Sequence, residues 1–298
     1  MERSTQIKRA RAFRNMHRGK GLLLLPNAWD VVSAKLYEVE GFRAVGTTSA
    51  GISAALGFAD GERMSLEDNL SVCRRMVEHV AIPVSVDIEA GYGGCLDELS
   101  ETIGKVIASG AVGVNIEDSA KAGCGGPESE ALLEPSAQGD RITAVRRAAD
   151  RAGVPLVINA RTDVFLESDE VSEQRLAEAI ERGNTYRRAG ADCVFVPDMG
   201  VLGEAEIAAL ARGIEAPLNL VAGKKTPSVQ RLEALGVARL SFGPRPMRAA
   251  LQVLRGMARE WLATGTYSQL TLHDGLSYDE VNAWFTPRAP SRPGCEAR

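Results

Sequence analysis

Long apolar runs are missing from this 298-residue chain. No stretch approaches the ~18 consecutive apolar residues of a membrane-spanning helix, which excludes a membrane protein of the helical kind. The basic opening MERSTQIKRARAFRNMHRGK leads into only four consecutive leucines. That is too short for the apolar core of a secretion signal, so a cytoplasmic protein is expected. Histidine is scarce: His17, His79 and His273 are scattered, which argues against a histidine-based zinc site. The five cysteines are odd in number and form no CxxC pair, so free thiols in a reducing compartment are expected. With 35 basic and 39 acidic side chains and net charge −4, the chain has no basic field for nucleic acid. A GxGxxG turn after a first strand is also missing, which counts against a doubly wound dinucleotide-binding sheet, the runner-up fold.

What is present is a rhythm. At 45% hydrophobic and 25% charged, the chain suits one large domain or two small ones. Eight short apolar runs recur: LLLLP (22–26), AVGTT (44–48), PVSVDI (83–88), GVNIE (113–117), PLVINA (155–160), CVFVP (193–197), PLNLV (217–221) and ARLSF (238–242). Amphipathic stretches such as SAKLYEVEG and LDELSETIGKVIASG lie between them, and several end in Gly, the usual helix stop. Continuous apolar strands alternating with helices predict a parallel sheet covered by helices, and eight such units predict an α/β protein with a (β/α)8 TIM-type barrel. A single barrel domain over 1–298 is expected, with a helical lead-in at 1–21, the barrel at 22–254, C-terminal helices at 255–286 and a disordered tail at 287–298. The short helix YDEVNAWF (278–285) is expected to dock on the body or on a neighbouring subunit.

In such barrels the active site lies at the C-terminal ends of the strands. Here those ends carry Asn27 and Asp30, then Thr47, Thr48 and Ser49, then Asp87 and Glu89, then Glu117 beside Asp118. Asn159, Arg161 and Asp163 follow, then Asp198, Asn219 and Ser241, while Asp60 sits after a Gly-containing turn in LGFADGE. Carboxylates crowded on one rim repel one another unless a cation lies between them. The expected cation is a hard divalent metal held by oxygen ligands and waters, Mg²⁺ with Mn²⁺ as the alternative. Each residue also has a plainer role open to it: Asp60 a turn, Glu117–Asp118 a helix cap, Arg161 a structural bridge to Asp163.

The segments LPNAWDVVSAKLYEVEGFRAVGTTSAG, LGFADGE, PVSVDIEAGYGG, GVNIEDS and INARTD resemble the isocitrate lyase/phosphoenolpyruvate mutase superfamily, over about Leu22 to Leu254. The resemblance implies a Mg²⁺-dependent barrel acting on 2-oxo carboxylates through an enolate. It also implies a homo-oligomer, a dimer or a tetramer with an exchanged C-terminal helix. Carried over by position, it implies that Asp87 is the direct metal ligand and that Asp60, Glu89 and Glu117 hold the metal's waters. It implies that Arg161 grips the substrate carboxylate and that Thr48 and Ser49 receive its oxo-carboxylate end.

The departures bear on the reaction. The family's carbon–carbon lyases carry a Lys-x-Cys-Gly-His loop; here the loop reads AKAGCGGPESEALLEP, with Cys124-Gly125 kept and Gly126 at the histidine position. That groups the chain with the mutase-like branch, yet Glu89 stands where mutases have Asp. Cys124 is either the catalytic acid or an incidental loop residue, and Lys121 is a further candidate. The segment 119–130 has the glycines and proline of a lid. Asp198 replaces a lyase Glu, Asn219 matches an Asn that touches a second substrate carboxylate, and Val221 replaces a Thr. Lys224 and Lys225 suit a solvated loop. Three readings stay open. The leading one is a Mg²⁺-dependent carbon–carbon lyase on a small 2-hydroxy or 2-oxo carboxylate, oxaloacetate-type decarboxylation included. The others are a phosphonopyruvate- or phosphoenolpyruvate-type mutase or hydrolase, and a non-catalytic ligand-binding barrel.

Overall fold

The computed structural model describes residues 1–19, 21–119, 132–166, 171–198, 200–271 and 275–286. The chain opens with α1 (Arg3–Met16), β1 (Leu23–Leu25), β2 (Asn27–Ala28), α2 (Val31–Val39), β3 (Val45–Thr47) and α3 (Ser49–Leu56). Then come α4 (Leu66–His79), β4 (Val84–Asp87), α5 (Leu96–Ala108), β5 (Gly113–Glu117), α6 (Pro135–Arg151), β6 (Val157–Arg161) and α7 (Glu173–Arg188). The series ends with β7 (Cys193–Phe195), α8 (Glu204–Gly213), β8 (Leu218–Val221), α9 (Val229–Ala234), β9 (Val237–Ser241), α10 (Arg245–Thr264), α11 (Ser268–Thr271) and α12 (Tyr278–Phe285).

All strand pairs are parallel, in the order β1-β9-β8-β7-β6-β5-β4-β3-β2. The first expected strand is divided at Pro26, which has no N–H to give to a ladder. Its first piece pairs with β9 and its second with β3, so the divided strand closes the barrel. Asn27 stitches this seam: its Nδ2 donates to the Thr47 carbonyl (2.8 Å), and its Oδ1 accepts from the amides of Phe242 (2.8 Å) and Gly243 (2.9 Å). The structure is therefore the expected (β/α)8 barrel. A helix that the apolar runs did not announce, α3, starts where a simple turn was expected, with Thr48 as its N-cap.

Strand side chains alternate between faces. Val84 and Val86, Val114 and Ile116, and Ile158 and Ala160 belong to the apolar core. The residues between them are polar: Ser85, Asn115 and Asn159 are buried. Helix α1 covers the N-terminal ends of the strands. Gln6 donates to the carbonyls of Ile107, in the last turn of α5, and Ala111, Arg9 to that of Val80, and Arg14 to that of Leu156, the last three just ahead of strands. Phe13 presses so closely on β5 that a Cβ at Gly113 would lie 2.8 Å from its ring.

The described residues form two compact units, Met1–Arg248 and Ala249–Arg298. In the second, Glu260 gathers the Thr266 hydroxyl and the amides of Ser268 and Gln269, which fixes the turn between α10 and α11. Among the described residues no helix is long and apolar enough to cross a membrane.

His17 follows α1 and is 4% exposed. Burial first, then the charge of Arg239, hold its pKa down at about 4 from an ordinary 6.5; Asp192 acts the other way and Arg18 adds to the depression. Above pH 6.5 the ring is neutral in the folded and unfolded chains alike. As pH falls from 6.5 towards about 4, only the unfolded chain takes up the proton, so stability is lost across that window, by roughly 3 kcal/mol. His17→Gln is expected to flatten the acid side of a stability-versus-pH curve measured by urea unfolding; an unchanged slope would show that His17 is not its source.

Candidate active site

A cavity of about 350 Å³ opens at the C-terminal ends of the strands, and Asp60, Asp87 and Arg161 are on its wall. Asp87 ends β4 and is held by four donors. The Ser49 amide (3.1 Å) and hydroxyl (2.8 Å) reach Oδ2; Asn115 Nδ2 (3.0 Å) and the Glu89 amide (3.3 Å) reach Oδ1. Its backbone is pinned as well, by the Thr47 hydroxyl on N–H and by Asn69 on the carbonyl. Thr48 lines the cavity and, as N-cap of α3, accepts from the Gly51 amide at 3.4 Å. A carboxylate with this many charge-assisted donors has one orientation open to it.

Behind Asp87 the two acidic loops clasp each other. Glu89, Tyr92 and Glu62 have positive φ (49°, 53° and 57°), a conformation that non-glycine residues seldom adopt. The Glu62 amide donates to Glu89 Oε2 (2.7 Å), the Tyr92 hydroxyl to Glu89 Oε1 (3.2 Å), and the Tyr92 amide to Glu62 Oε1 (3.1 Å). Burial and the Glu89 charge raise the Tyr92 pKa, so the phenol stays a donor. Strained residues of this kind gather where a site over-determines its geometry, and here they tie the LGFADGE loop to the turn after β4.

Across the mouth, Arg161 bridges two carboxylates. Its Nη1 meets Glu117 Oε2 at 2.7 Å, and its Nε and Nη2 grip Asp163 at 2.5 and 2.9 Å. Burial opposes the charged guanidinium, but Glu117, Asp163 and Asp87 outweigh it and raise its pKa. Burial pushes the Asp163 carboxyl above the ordinary carboxylate range; Arg161 pulls it down while the neighbouring Glu117 adds to the rise. Glu117 also accepts from the Ser119 hydroxyl at 2.7 Å. Asp118, its neighbour in sequence, points away: it is fully buried and takes the Tyr186 hydroxyl (2.6 Å), the Asp163 amide (3.0 Å) and Arg182 (3.4 Å).

Of the expected substrate contacts, Thr48, Ser49, Arg161 and Asp198 line the cavity. Asp198 Oδ2 also accepts from the amides of Gly200, Val201 and Leu202, which folds the chain after β7 into a turn. Asn219 is fully buried beneath the wall, accepting from Ser241 and donating to Asn159. Cys124, Lys121 and the remainder of the expected lid after Ser119 lie outside the described residues. Three arginines were missed: Arg239, Arg245 and Arg248 all line the cavity. Arg239 was legible as a lone charge within the apolar run ARLSF, and the other two stand in GPRPMR just past that run.

Asp87 and Asp60 line the cavity, while Glu89 and Glu117 do not. Among the described residues no three His, Cys, Asp or Glu groups converge as a ready metal cage. The donors are all hard carboxylate oxygens, which fits a mostly hydrated cation such as Mg²⁺, commonly held through one or two carboxylates.

The turn that places Ser49 against Asp87 has no room to spare. A Cβ on Gly51 would lie 2.6 Å from Thr48 Cγ2 and 2.9 Å from Trp29 Cβ. Gly→Ala within a helix ordinarily stabilises by roughly 0.5–1 kcal/mol. Gly51→Ala is expected to do the reverse, lowering the melting temperature and weakening ligand binding at Asp87; a stabilised variant with intact binding would refute this account of the turn.

The phosphoenolpyruvate phosphomutase family profile matches residues 13–262. An uncharacterised protein of Mycobacterium tuberculosis is 33% identical over 248 residues, covering 83% of this chain and 88% of its own length. The 2-methylisocitrate lyase of Bacillus subtilis is 27% identical over 295 residues, covering 95% of this chain and 94% of its own. A crystal structure from Burkholderia cenocepacia, described as a lyase/mutase, superposes with TM-score 0.85 at 33% identity, covering 95% of this chain and 98% of that one.

Proposed function

Since the chain belongs to the phosphoenolpyruvate phosphomutase family, within the isocitrate lyase/phosphoenolpyruvate mutase superfamily of lyases and mutases, we propose that it is a Mg²⁺-dependent carbon–carbon lyase. Its substrate in this reading is a small 2-hydroxy or 2-oxo carboxylate, broken down through an enolate. The observation that carries this is the meeting of Asp87, fixed by four donors, with Arg161 on one cavity wall at the strand ends.

In this reading Asp87 holds the metal, and Asp60, Glu89 and Glu117 orient its waters. The bound metal supplies Lewis-acid stabilisation of negative charge on the substrate's C2 oxygen. The α3 N-terminus at Thr48 and Ser49 receives the oxo-carboxylate end, its dipole favouring an anion, while the Ser49 amide and hydroxyl hold Asp87. Arg161 clamps the substrate carboxylate, its charge shared with Glu117 and Asp163. For a 2-oxo acid, the C3–C4 bond breaks and its electron pair passes through C3 to the C2 oxygen as an enolate, the C4 fragment leaves as carbon dioxide or a carbonyl compound, and a proton delivered to C3 completes the 2-oxo product. Cys124 is the candidate donor of that proton.

Arg245 and Arg248 support a second anionic group at the far end of the substrate. They line the same cavity, with no acidic partner among the described residues. The same positive charge favours a second reading, P–C bond chemistry on a phosphonopyruvate-like acid. The protein is read as a cytoplasmic homo-oligomer, dimer or tetramer; exposed Leu254, Leu262 and Tyr278 in the C-terminal unit support assembly.

Oxalate, a planar dianion shaped like the enolate of pyruvate, tests the site by calorimetry. Tight binding is expected with Mg²⁺, lost on chelation and weakened at least about tenfold in Asp87→Ala and Arg161→Ala. No binding in either condition would remove the lyase reading and leave a ligand-binding barrel. Product assays then separate the chemistries: release of a 2-oxo acid alone supports the lyase, and phosphate or phosphonate turnover supports the second reading.

A further inference from the structure

The interior of a (β/α)8 barrel is ordinarily packed with Val, Ile and Leu. This one carries a continuous line of polar side chains from its mouth to its floor. Arg239 Nε donates to Ser241 Oγ at 3.2 Å, and the Ser241 hydroxyl donates to Asn219 Oδ1 at 3.1 Å. Asn219 Nδ2 donates to Asn159 Oδ1 at 3.5 Å, the long link, and Asn159 Nδ2 to Asn115 Oδ1 at 2.7 Å. Asn115 Nδ2 then donates to Asp87 Oδ1 at 3.0 Å. Five links cross β9, β8, β6, β5 and β4, and every one points the same way.

That direction follows from the ends. A guanidinium can only donate and an ionised carboxylate can only accept. Each amide between them must therefore turn its oxygen towards Arg239 and its nitrogen towards Asp87. Flipping Asn115 would set its oxygen against Asp87 Oδ1, two acceptors face to face. Aligned hydrogen bonds polarise one another, and in a low dielectric that strengthens the line.

The cation at the far end is unusually placed. Arg239 is 3% exposed and has no carboxylate in an ion pair among the described residues. Its other partner is neutral. His17 Nδ1 bonds the Phe13 carbonyl at 2.9 Å, which requires the proton on Nδ1 and leaves the Nε2 lone pair facing Arg239 Nη1 at 3.5 Å. A buried charge without a close counter-ion is expensive, and an apolar residue of like volume would serve packing better.

We propose that Arg239 is a positioning residue for Asp87: the donor end of a one-way hydrogen-bond line through Ser241, Asn219, Asn159 and Asn115 that sets how Asp87 faces the cavity. The proposal rests on the reading of Asp87 as the carboxylate that holds the metal. It extends the machinery of the site through the barrel interior, to Asn219 and Asn159, which do not line the cavity.

The test uses full-length protein labelled with ¹⁵N at the asparagine side chains, in the metal-free state, together with Mg²⁺-dependent oxalate calorimetry. In Arg239→Met the Asn115 side-chain amide signal is expected to move, oxalate affinity to fall roughly 10–100-fold, and the melting temperature to hold. Arg239→Lys keeps a donor-only cation beside Ser241 and is expected to restore most of both. An unmoved Asn115 signal in Arg239→Met overturns the proposal, as does a lowered melting temperature in both variants without rescue by lysine. If wild-type protein binds no oxalate, the metal-site reading falls, and the Asn115 signal still decides whether the line transmits. Should Arg239→Met fail to fold, Ser241→Ala breaks the line one link further on, and the same signal is expected to move.

Discussion

Negative charge held at close quarters is the constraint on which this structure turns. Asp87, Glu117 and Asp163 share one end of the barrel with Arg161, and Asp60 stands on the same cavity wall. Like charges in a half-buried space raise one another's energy unless each has donors of its own. The barrel supplies those donors from separate strands and loops: Ser49 after β3, Asn115 on β5, Arg161 on β6, and the amides of the turn after β4. Such a set can be assembled only where parallel strands end together.

The floor answers the mouth. Helix α1 shuts the N-terminal end through Gln6, Arg9 and Arg14, each of which donates to a backbone carbonyl shortly before a strand. Between floor and mouth the strands present amides and hydroxyls inward and branched apolar residues outward, under the helices. The inward layer thus serves orientation, while the outward layer carries most of the hydrophobic stabilisation. This division explains how a barrel can hold a buried arginine and three buried asparagines in its interior and still keep extensive apolar clusters beneath its helices.

Much of this was legible in the sequence. The repeat of apolar run, turn and amphipathic helix announced the barrel, because a parallel strand covered by helices must show an apolar run whatever its neighbours are. Asp87, Glu117 and Arg161 were legible because each closes such a run. The division of the first strand was less so: Pro26 was in view, but only pairing of its two sides with β9 and β3 reveals its part in closure. Asn219 reads like a substrate contact at its strand end, yet lies under the wall, because Ser241 stands over its oxygen. Arg239, Arg245 and Arg248 escaped notice because their value depends on which way each side chain points, and a run such as ARLSF does not state its register.

The sequence by itself determined the kind of barrel, the end at which its polar residues collect and the carboxylates that close several of its strands. Those follow from local periodicity and from which residue types close each run. Tertiary structure alone decided which carboxylates face the cavity, which are tied behind it, and how the asparagines of several strands join into one directed line. Those depend on inter-strand stagger, and stagger is settled by contacts between residues far apart in the chain.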